Sequence, residues 1–543
     1  MKKNMIIVGA GLAGLSAALQ AVKEGCSVKL ISSLPSERAQ SVMAEGGINA
    51  ALNTKGEDDS TQEHYEDTIK AGCNLADPNA VWNMTQAAPE LVKWLHSIGV
   101  QFNICGYDEL DLRNFGGQKK KRTAFAKSDT GKQIMTAMID AVRRLEVLGQ
   151  IERFEHHSFH TLLMKENICH GCVVSDNYTG EIKTLYSDAV IVASGGMHGM
   201  FGNTTGSLAN TGEVSAGLFS AGVPMANLEM IQYHPTTVEI GGKKMLISEA
   251  ARGEGGRLFT YRDGKRWYFM EEKYPELGNL MPRDITAREI WKMSKESPVY
   301  LDMTEIPKDV TDRKLAGLVS DCQIYLHKDI RKEPVQVVPG IHYFMGGIYV
   351  DEKHRTPVRN LYAAGECCAQ YHGANRLGGN SLLGAIYGGR IAAQTACEDL
   401  ARAIAFLHEN AEQLQIDMTD YSLWGGSAGA RMAAWLGSYG TAYFGEKEYP
   451  APAAVIMQYT GLSQVTGMEP PTYACVGTSD GIASYRSMEN YISQIQQNGT
   501  NATIEVFKGL SHGFGLGEGT VAEGWIDHAI SFWEDNMNAS DER

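Results

Sequence analysis

Two sets of side chains stand out by type and setting. The first is scattered along the chain: His234 in HPT, Ser248, Glu249 and Arg252 in SEAARG, Arg283 in PRD, His342 in HYFMGG and Arg376 in HGANR. Each lies in apolar or glycine-rich surroundings, and any one alone reads as a satisfied core or surface group. Together they describe a pocket for a small dianion, because a dicarboxylate needs donors at both ends and a bidentate arginine clamps one carboxylate. A structural ion-pair network of Arg283, Glu249 and Arg252 is the alternative reading. The second set is ordered: Gly425-Gly426-Ser427-Ala428-Gly429, then Asp480, then His512. A serine in a tight strand-to-helix turn, followed by an acid and a histidine, is the composition of a nucleophile with its base and orienting carboxylate.

The elements that must position these groups are legible around them. Met5 to Val8 reads as a strand, followed by Gly9-Ala-Gly11-Leu-Ala-Gly14 and an apolar-periodic helix through Val22. That context lets phosphate oxygens approach glycine backbone and meet unpaired N–H groups at a helix start. The next strand, CSVKLIS, ends in Ser32-Ser33, where a nicotinamide fold would carry a ribose-binding Asp or Glu. DAVIVASGG ends in Gly195-Gly196, and RNLYAAGE ends in Gly365-Glu366. Three strand ends with small residues, far apart in sequence, fit one extended dinucleotide held across an interrupted sheet, and FAD fits that better than a nicotinamide.

Composition bounds the remaining classes. A chain of 543 residues implies about three to four domains. Hydrophobic residues make up 43% and charged residues 21%, which excludes global disorder. With 49 basic against 64 acidic residues, the net charge of −15 disfavours nucleic acid or an anionic membrane as a partner of the whole surface. No run of roughly 18 apolar residues spans a bilayer. The opening MKKNMIIVGAGLAG imitates a signal peptide, but its glycines interrupt the apolar run and no cleavage site follows. Among ten cysteines the one CxxC, Cys169-His-Gly-Cys172, lies in an alternating segment with no second pair, so it reads as a half-buried strand and no metal site is expected.

From Met5 to about Ala393 the chain resembles the flavoprotein subunits of succinate dehydrogenase and fumarate reductase. The pieces that carry the resemblance are AEGGINAALNTKGEDDS, FGGQKKKRTAFAKSDTGKQ, QYHPTTVE, SEAARGEGGRLF, NLMPRDITAREI, VVPGIHYFMGGIYVD and YHGANRLGGNSLLGAIYGGRIA. L-aspartate oxidases share much of the pattern, although they carry a smaller polar residue where HYFMGG has methionine. The resemblance implies FAD contacts at Gly9, Gly11, Gly14, Ser32, Gly46, Gly47, Gly195, Gly196, Glu366, Arg376, Ser381 and Leu382. It places His234, Ser248, His342 and Arg376 on substrate carboxylates, with Ser248 where the family usually has threonine. Arg283 becomes the proton donor or acceptor, with Glu249 and Arg252 as its relay; an arginine is a poor acid in water, so closure and relay are required.

One departure bears on the cofactor. Membrane-bound relatives link flavin through a histidine in RSH[ST]V, whereas this chain reads Arg38-Ala39-Gln40-Ser41-Val42. Noncovalent FAD is expected, and with it a bias toward fumarate reduction, because covalent attachment generally raises flavin potential. The resemblance also implies an iron-sulphur partner subunit, a membrane anchor, and a cytoplasmic chain held peripherally through those partners.

The resemblance ends where a helical C-terminal domain would begin. From about 398 to 538 the chain resembles the C-terminal half of an α/β-hydrolase of the acetyl-esterase or dienelactone-hydrolase kind, with Ser427, Asp480 and His512 in that fold's chain order. The first strands, and the upstream loop that donates one oxyanion-hole N–H, are missing. The expected architecture is α/β: an FAD-binding Rossmann-like domain (1–236 plus 341–395), interrupted by an α+β capping domain (237–340), followed by a partial α/β-hydrolase fold (396–543). The expected function is FAD-dependent interconversion of fumarate and succinate. The alternatives are an L-aspartate oxidase or another unsaturated-carboxylate reductase, a carboxyl-ester hydrolase acting through the tail, and an inactive fusion that only binds cofactor or a partner.

Overall fold

The computed structural model describes residues 4–106, 109–443, 447–460 and 465–537. Its first sheet has five parallel strands in the order Leu361–Ala363, Ala189–Val192, Asn4–Val8, Ser27–Ser32 and Ile151–Glu155. Both faces are covered, so the central strand is apolar from Met5 to Val8 and its alternation sorts side chains by face. Met5 and Ile7 join one core with the helices Leu12–Lys23, Pro78–Ser97 and Thr130–Val147. Ile6 and Val8 join the opposite core, roofed by the antiparallel sheet His157–Lys165, Ile168–Asp176 and Ile182–Tyr186. Cys169 and Cys172 are buried in that second core, where burial pushes their thiols up to about 11 and about 12.

A third core draws on Ile247 to Val337 together with Phe115. It is built on the four-stranded antiparallel sheet Lys265–Trp267, Arg257–Arg262, Tyr300–Asp302 and Val335–Gln336 and on the helix Arg283–Met293. The chain enters and leaves this region through the paired strands Ile231–Ile240 and Val338–Phe344.

The helix Asn380–Glu409 runs for 30 residues without a break. Up to Ala396 it packs Leu382, Leu383, Ile386, Ala392, Ala393 and Ala396 into the first core at helical spacing, and Ile404 near its end joins the core of the tail. The tail sheet is four parallel strands in chain order, Ser422–Gly426, Ala454–Gln458, Thr472–Gly477 and Ala502–Phe507, with Ser422–Gly426 at one edge. Helices Ala428–Tyr443 and Tyr485–Gln497 pack in one core of this sheet, and Trp525–Asn536 in the other. No helix among the described residues is long and apolar enough to cross a membrane.

Candidate functional site

The strand ends with small residues converge on one cavity of about 680 Å³. Its wall includes Gly9, Gly11, Ser32, Gly46, Gly47, Gly195, Gly196, Glu366, Ser381 and Leu382, and the same cavity continues to His234, Ser248, Glu249, Arg283, His342 and Arg376. One cavity therefore joins the residues expected to hold a dinucleotide to those expected to hold a dianion. Gly9 has φ +115°, and a Cβ there would lie 2.2 Å from the Ala193 carbonyl oxygen. Gly14 is absent from the wall; a Cβ on it would sit 1.8 Å from the Gly9 carbonyl oxygen, so its lack of a side chain lets helix and strand pack closely. Gly9→Ala is expected to yield protein without bound flavin, read as loss of visible absorbance; flavin retained at full occupancy would contradict this cradle.

Three buried polar atoms in the cradle have no hydrogen-bond partner among the described residues: Ser32 Oγ, Gln40 Oε1 and Glu45 Oε2. Such orphans fit a site built for a polar ligand. Glu45 escaped the sequence reading; burial, reinforced by the charge of Asp321, pushes its carboxyl up to about 8. Glu366 accepts from the Phe344 N–H at 3.0 Å and lies 3.2 Å from His198 Nε2. Gly196 makes that approach feasible, since a Cβ on it would lie 2.7 Å from Glu366 Oε1. The helix that starts at Asn380 points its N-terminus, with Ser381 and Leu382, at the cavity, an arrangement suited to negative charge.

In the dianion region, Arg283 is the first residue of its helix, directly after Pro282. Its Nε and Nη2 donate to Glu249 Oε2 at 2.8 and 2.5 Å, and its Nη1 donates to Gln232 Oε1 at 3.0 Å. The other carboxylate oxygen of Glu249 accepts from Arg252 Nη2 at 2.9 Å and from the Gly116 N–H at 3.1 Å. Arg252 does not reach the cavity wall; it stands behind Glu249 and also donates to the Asn279 carbonyl at 2.6 Å. Burial favours the neutral acid at Glu249, but the two guanidinium charges outweigh it and hold the carboxyl down at about 2.

His234 and His342 face each other from adjacent strands, with ring centroids 5.0 Å apart. Burial, then the charge of Arg283, holds both imidazoles well below the usual histidine range, so each is neutral at pH 7. His342 Nδ1 is 2.8 Å from the Thr205 hydroxyl. His234 Nε2 and Arg376 Nε are buried without a partner among the described residues. The Arg376 guanidinium lies 4.4 Å over the Tyr343 ring, and burial together with the Arg283 charge brings its pKa down to about 9. Gln232, also missed in sequence, fixes the corner: its Nε2 donates to Asn375 Oδ1 and to the Arg376 carbonyl, both at 2.8 Å. The signal was there, since residues 232 and 234 share a parity in one strand.

The second set of groups also assembles. Ser427 lies between the strand Ser422–Gly426 and the helix Ala428–Tyr443 with φ +56°, a strained conformation for a non-glycine residue. His512 Nε2 is 3.0 Å from Ser427 Oγ, and His512 Nδ1 is 2.7 Å from Asp480 Oδ2. The other Asp480 oxygen accepts from the Ile482 and Ala483 N–H groups at 2.8 and 2.7 Å. All three residues follow C-terminal ends of parallel strands, where this class of sheet gathers its sites.

Comparison with known proteins follows the same division. Residues 4–382 match the FAD binding domain family, and residues 389–488 match the BD-FAE family, an α/β-hydrolase-type domain. The succinate dehydrogenase flavoprotein subunit of Bacillus subtilis is 43% identical over 428 residues, covering 77% of this chain and 72% of the relative. An L-aspartate oxidase of Streptomyces coelicolor is 34% identical over 73% of this chain and 69% of its own. An E. coli quinol fumarate reductase FrdA variant superposes with a TM-score of 0.69 at 29% identity, covering 78% of this chain and 76% of that one. By these matches, the chain belongs to the FAD-binding oxidoreductases represented by succinate dehydrogenase and fumarate reductase flavoprotein subunits, and it carries an α/β-hydrolase-type domain at its C-terminal end.

Proposed function

We propose that the chain interconverts fumarate and succinate and favours fumarate reduction. The observation that carries this reading is the unpartnered pair His234 Nε2 and Arg376 Nε, buried on the wall of the same cavity as the Arg283–Glu249 pair. An imidazole nitrogen and a guanidinium N–H left unpaired among the described residues, beside a further guanidinium, call for a polar ligand, and a small dicarboxylate meets both arginines. His234, His342, Arg376 and the Ser248 hydroxyl hold those carboxylates and orient the carbon–carbon bond. FAD, when bound, supplies hydride exchange at flavin N5. Arg283 gives a proton to the other carbon in reduction and takes one in oxidation, while Glu249 and Arg252 return the proton and keep the guanidinium in place. The segment 237–340, which contributes Arg283 and Glu249, acts as a cap that excludes water.

Gln40 lies on the cavity wall in the short helix Gln40–Met43, and its amide forms no flavin bond, so FAD is held noncovalently. Electrons arrive from an iron-sulphur partner subunit with a membrane anchor; the relatives are named as subunits, which supports a partnered chain. Acid precipitation is expected to release all flavin into the supernatant, and dye-linked fumarate reduction at neutral pH to outrun succinate oxidation. Flavin left in the pellet would refute noncovalent binding, and a faster succinate rate would refute the direction.

A second reading belongs to the tail. The triad distances of 3.0 and 2.7 Å favour carboxyl-ester hydrolysis at Ser427, independent of the flavin site.

A further inference from the structure

A serine nucleophile with its base is half of an acyl-transfer site. The other half is a pair of donors for the oxyanion of the tetrahedral intermediate. One is the N–H of the residue after the nucleophile, here Ala428 at the start of its helix, where backbone N–H groups lack an intrahelical acceptor. The Ser427 N–H is not available, because it donates to the Gln458 carbonyl at 2.8 Å. The second donor ordinarily comes from a loop upstream of the elbow strand. Here Ser422–Gly426 is the first strand of its sheet and lies at its edge, so among the described residues no strand of this sheet precedes it to carry that loop.

The adjacent strand offers a replacement. Ala454–Gln458 ends at Tyr459, a non-glycine residue with φ +34°, placed directly after the carbonyl that holds the nucleophile's amide. Two strained residues thus meet at the ends of neighbouring strands, the kind of local cost that persists where surrounding structure imposes it. The turn drives the Tyr459 ring inward: it is 8% exposed, with its centroid 4.7 Å from the His512 ring and 4.9 Å from Phe514. A Cβ built on Gly426 would lie 3.0 Å from the Tyr459 hydroxyl oxygen, which sets the phenol beside the residue immediately before Ser427. The Gly515 backbone amide bears on the phenol and favours its ionised form. Burial raises the phenol's pKa against the opposing effect of that amide, and the proton stays on at neutral pH.

We infer that the Tyr459 hydroxyl is the second oxyanion donor of the tail, replacing the missing upstream N–H and completing a site for carboxyl esters. The inference rests on the ester-hydrolase reading of Ser427. In the first step Ser427 Oγ bonds to the ester carbonyl carbon and His512 takes the serine proton. The bond from carbon to the leaving oxygen then breaks as His512 protonates that oxygen. Water repeats the attack with His512 as base, the bond from carbon to Ser427 Oγ breaks, and the carboxylate leaves. In both addition steps the negative carbonyl oxygen sits between the Ala428 N–H and the Tyr459 O–H.

The test uses the full chain with p-nitrophenyl acetate and three proteins: wild type, Ser427→Ala and Tyr459→Phe. Phenylalanine keeps the ring against His512 and Phe514 and removes only the hydroxyl. The expected result is turnover lost in Ser427→Ala, and kcat lowered on the order of 10²-fold in Tyr459→Phe with KM unchanged. Binding of a trifluoromethyl ketone, whose serine adduct carries the same oxyanion, should weaken in parallel. Tyr459→Phe turning over and binding like wild type overturns the role of Tyr459 while leaving the hydrolase reading intact. Wild-type turnover no greater than that of Ser427→Ala overturns the hydrolase reading, and the inference with it.

Discussion

Arg283→Gln is expected to slow fumarate-dependent reoxidation of the reduced protein on the order of 10³-fold, while leaving flavin content and visible spectrum unchanged. The guanidinium joins three things at once: Glu249 through Nε and Nη2, Gln232 through Nη1, and the cavity wall. Glutamine reaches neither the charge nor the forked geometry, so proton delivery fails although the cradle at Gly9 and Gly195 is untouched. Arg283→Lys restores a charge but only a point donor, which cannot serve Glu249 and Gln232 together, and it should recover a small fraction of the rate. The decisive measurement is single-turnover reoxidation followed at the flavin band, since it isolates the substrate step from electron supply. A near-normal rate in Arg283→Gln would return the Arg283–Glu249–Arg252 cluster to a structural role.

The second large effect concerns stability. Despite burial, the charges of Arg283 and Arg252 hold the Glu249 carboxyl down at about 2 in the fold, against 4.5 for an unburied glutamate. Because the folded value is depressed, the unfolded chain takes up the proton first as pH falls. The carboxylate's contribution is fully present above about 4.5 and is lost as pH drops toward 2. Glu249→Gln removes that contribution and leaves Arg283 and Arg252, both buried, without their shared counter-charge, a change that costs roughly 3–5 kcal/mol in comparable buried pairs. Flavin release in urea reports on this part of the chain: the midpoint of Glu249→Gln should fall well below wild type at pH 7, and the gap should narrow between pH 5 and pH 3. A gap of constant size across that range would mean that the carboxylate's charge is not what stabilises the cluster.

What the sequence disclosed follows the range of the interactions. The strand, glycine turn and helix at Asn4–Lys23 are local, and period-2 and period-3.6 patterns place them correctly. Ser427, Asp480 and His512 were readable because each follows a strand within a short span. The FAD family of residues 4–382 and the hydrolase-type family of 389–488 were both readable as resemblances. What stayed hidden depends on distant pairing. Thr205 meets His342 across 137 positions, and Gln232 meets Arg376 across 144; neither threonine nor glutamine announces itself without the strand register that brings them together. Gly14 and Arg252 sat in motifs alongside wall residues, yet the turn of the chain assigns one to backbone packing and the other to support behind Glu249. Tyr459 follows an ordinary buried strand, and only its positive φ sets it apart.

The unbroken helix Asn380–Glu409 gives the junction between the two families a mechanical meaning. A helix transmits orientation as a screw does: each residue advances about 1.5 Å and turns about 100°. The matches to the two families end and begin at residues 382 and 389, so the seam falls inside this helix rather than in a tether. Inserting one residue there would keep every local helical bond and still swing the hydrolase-type domain through more than a quarter turn about the helix axis. Seven inserted residues, close to two full turns, would bring it back nearly in phase but about 10 Å farther along. Fusion length at this seam is therefore a selectable angular variable, not a spacer.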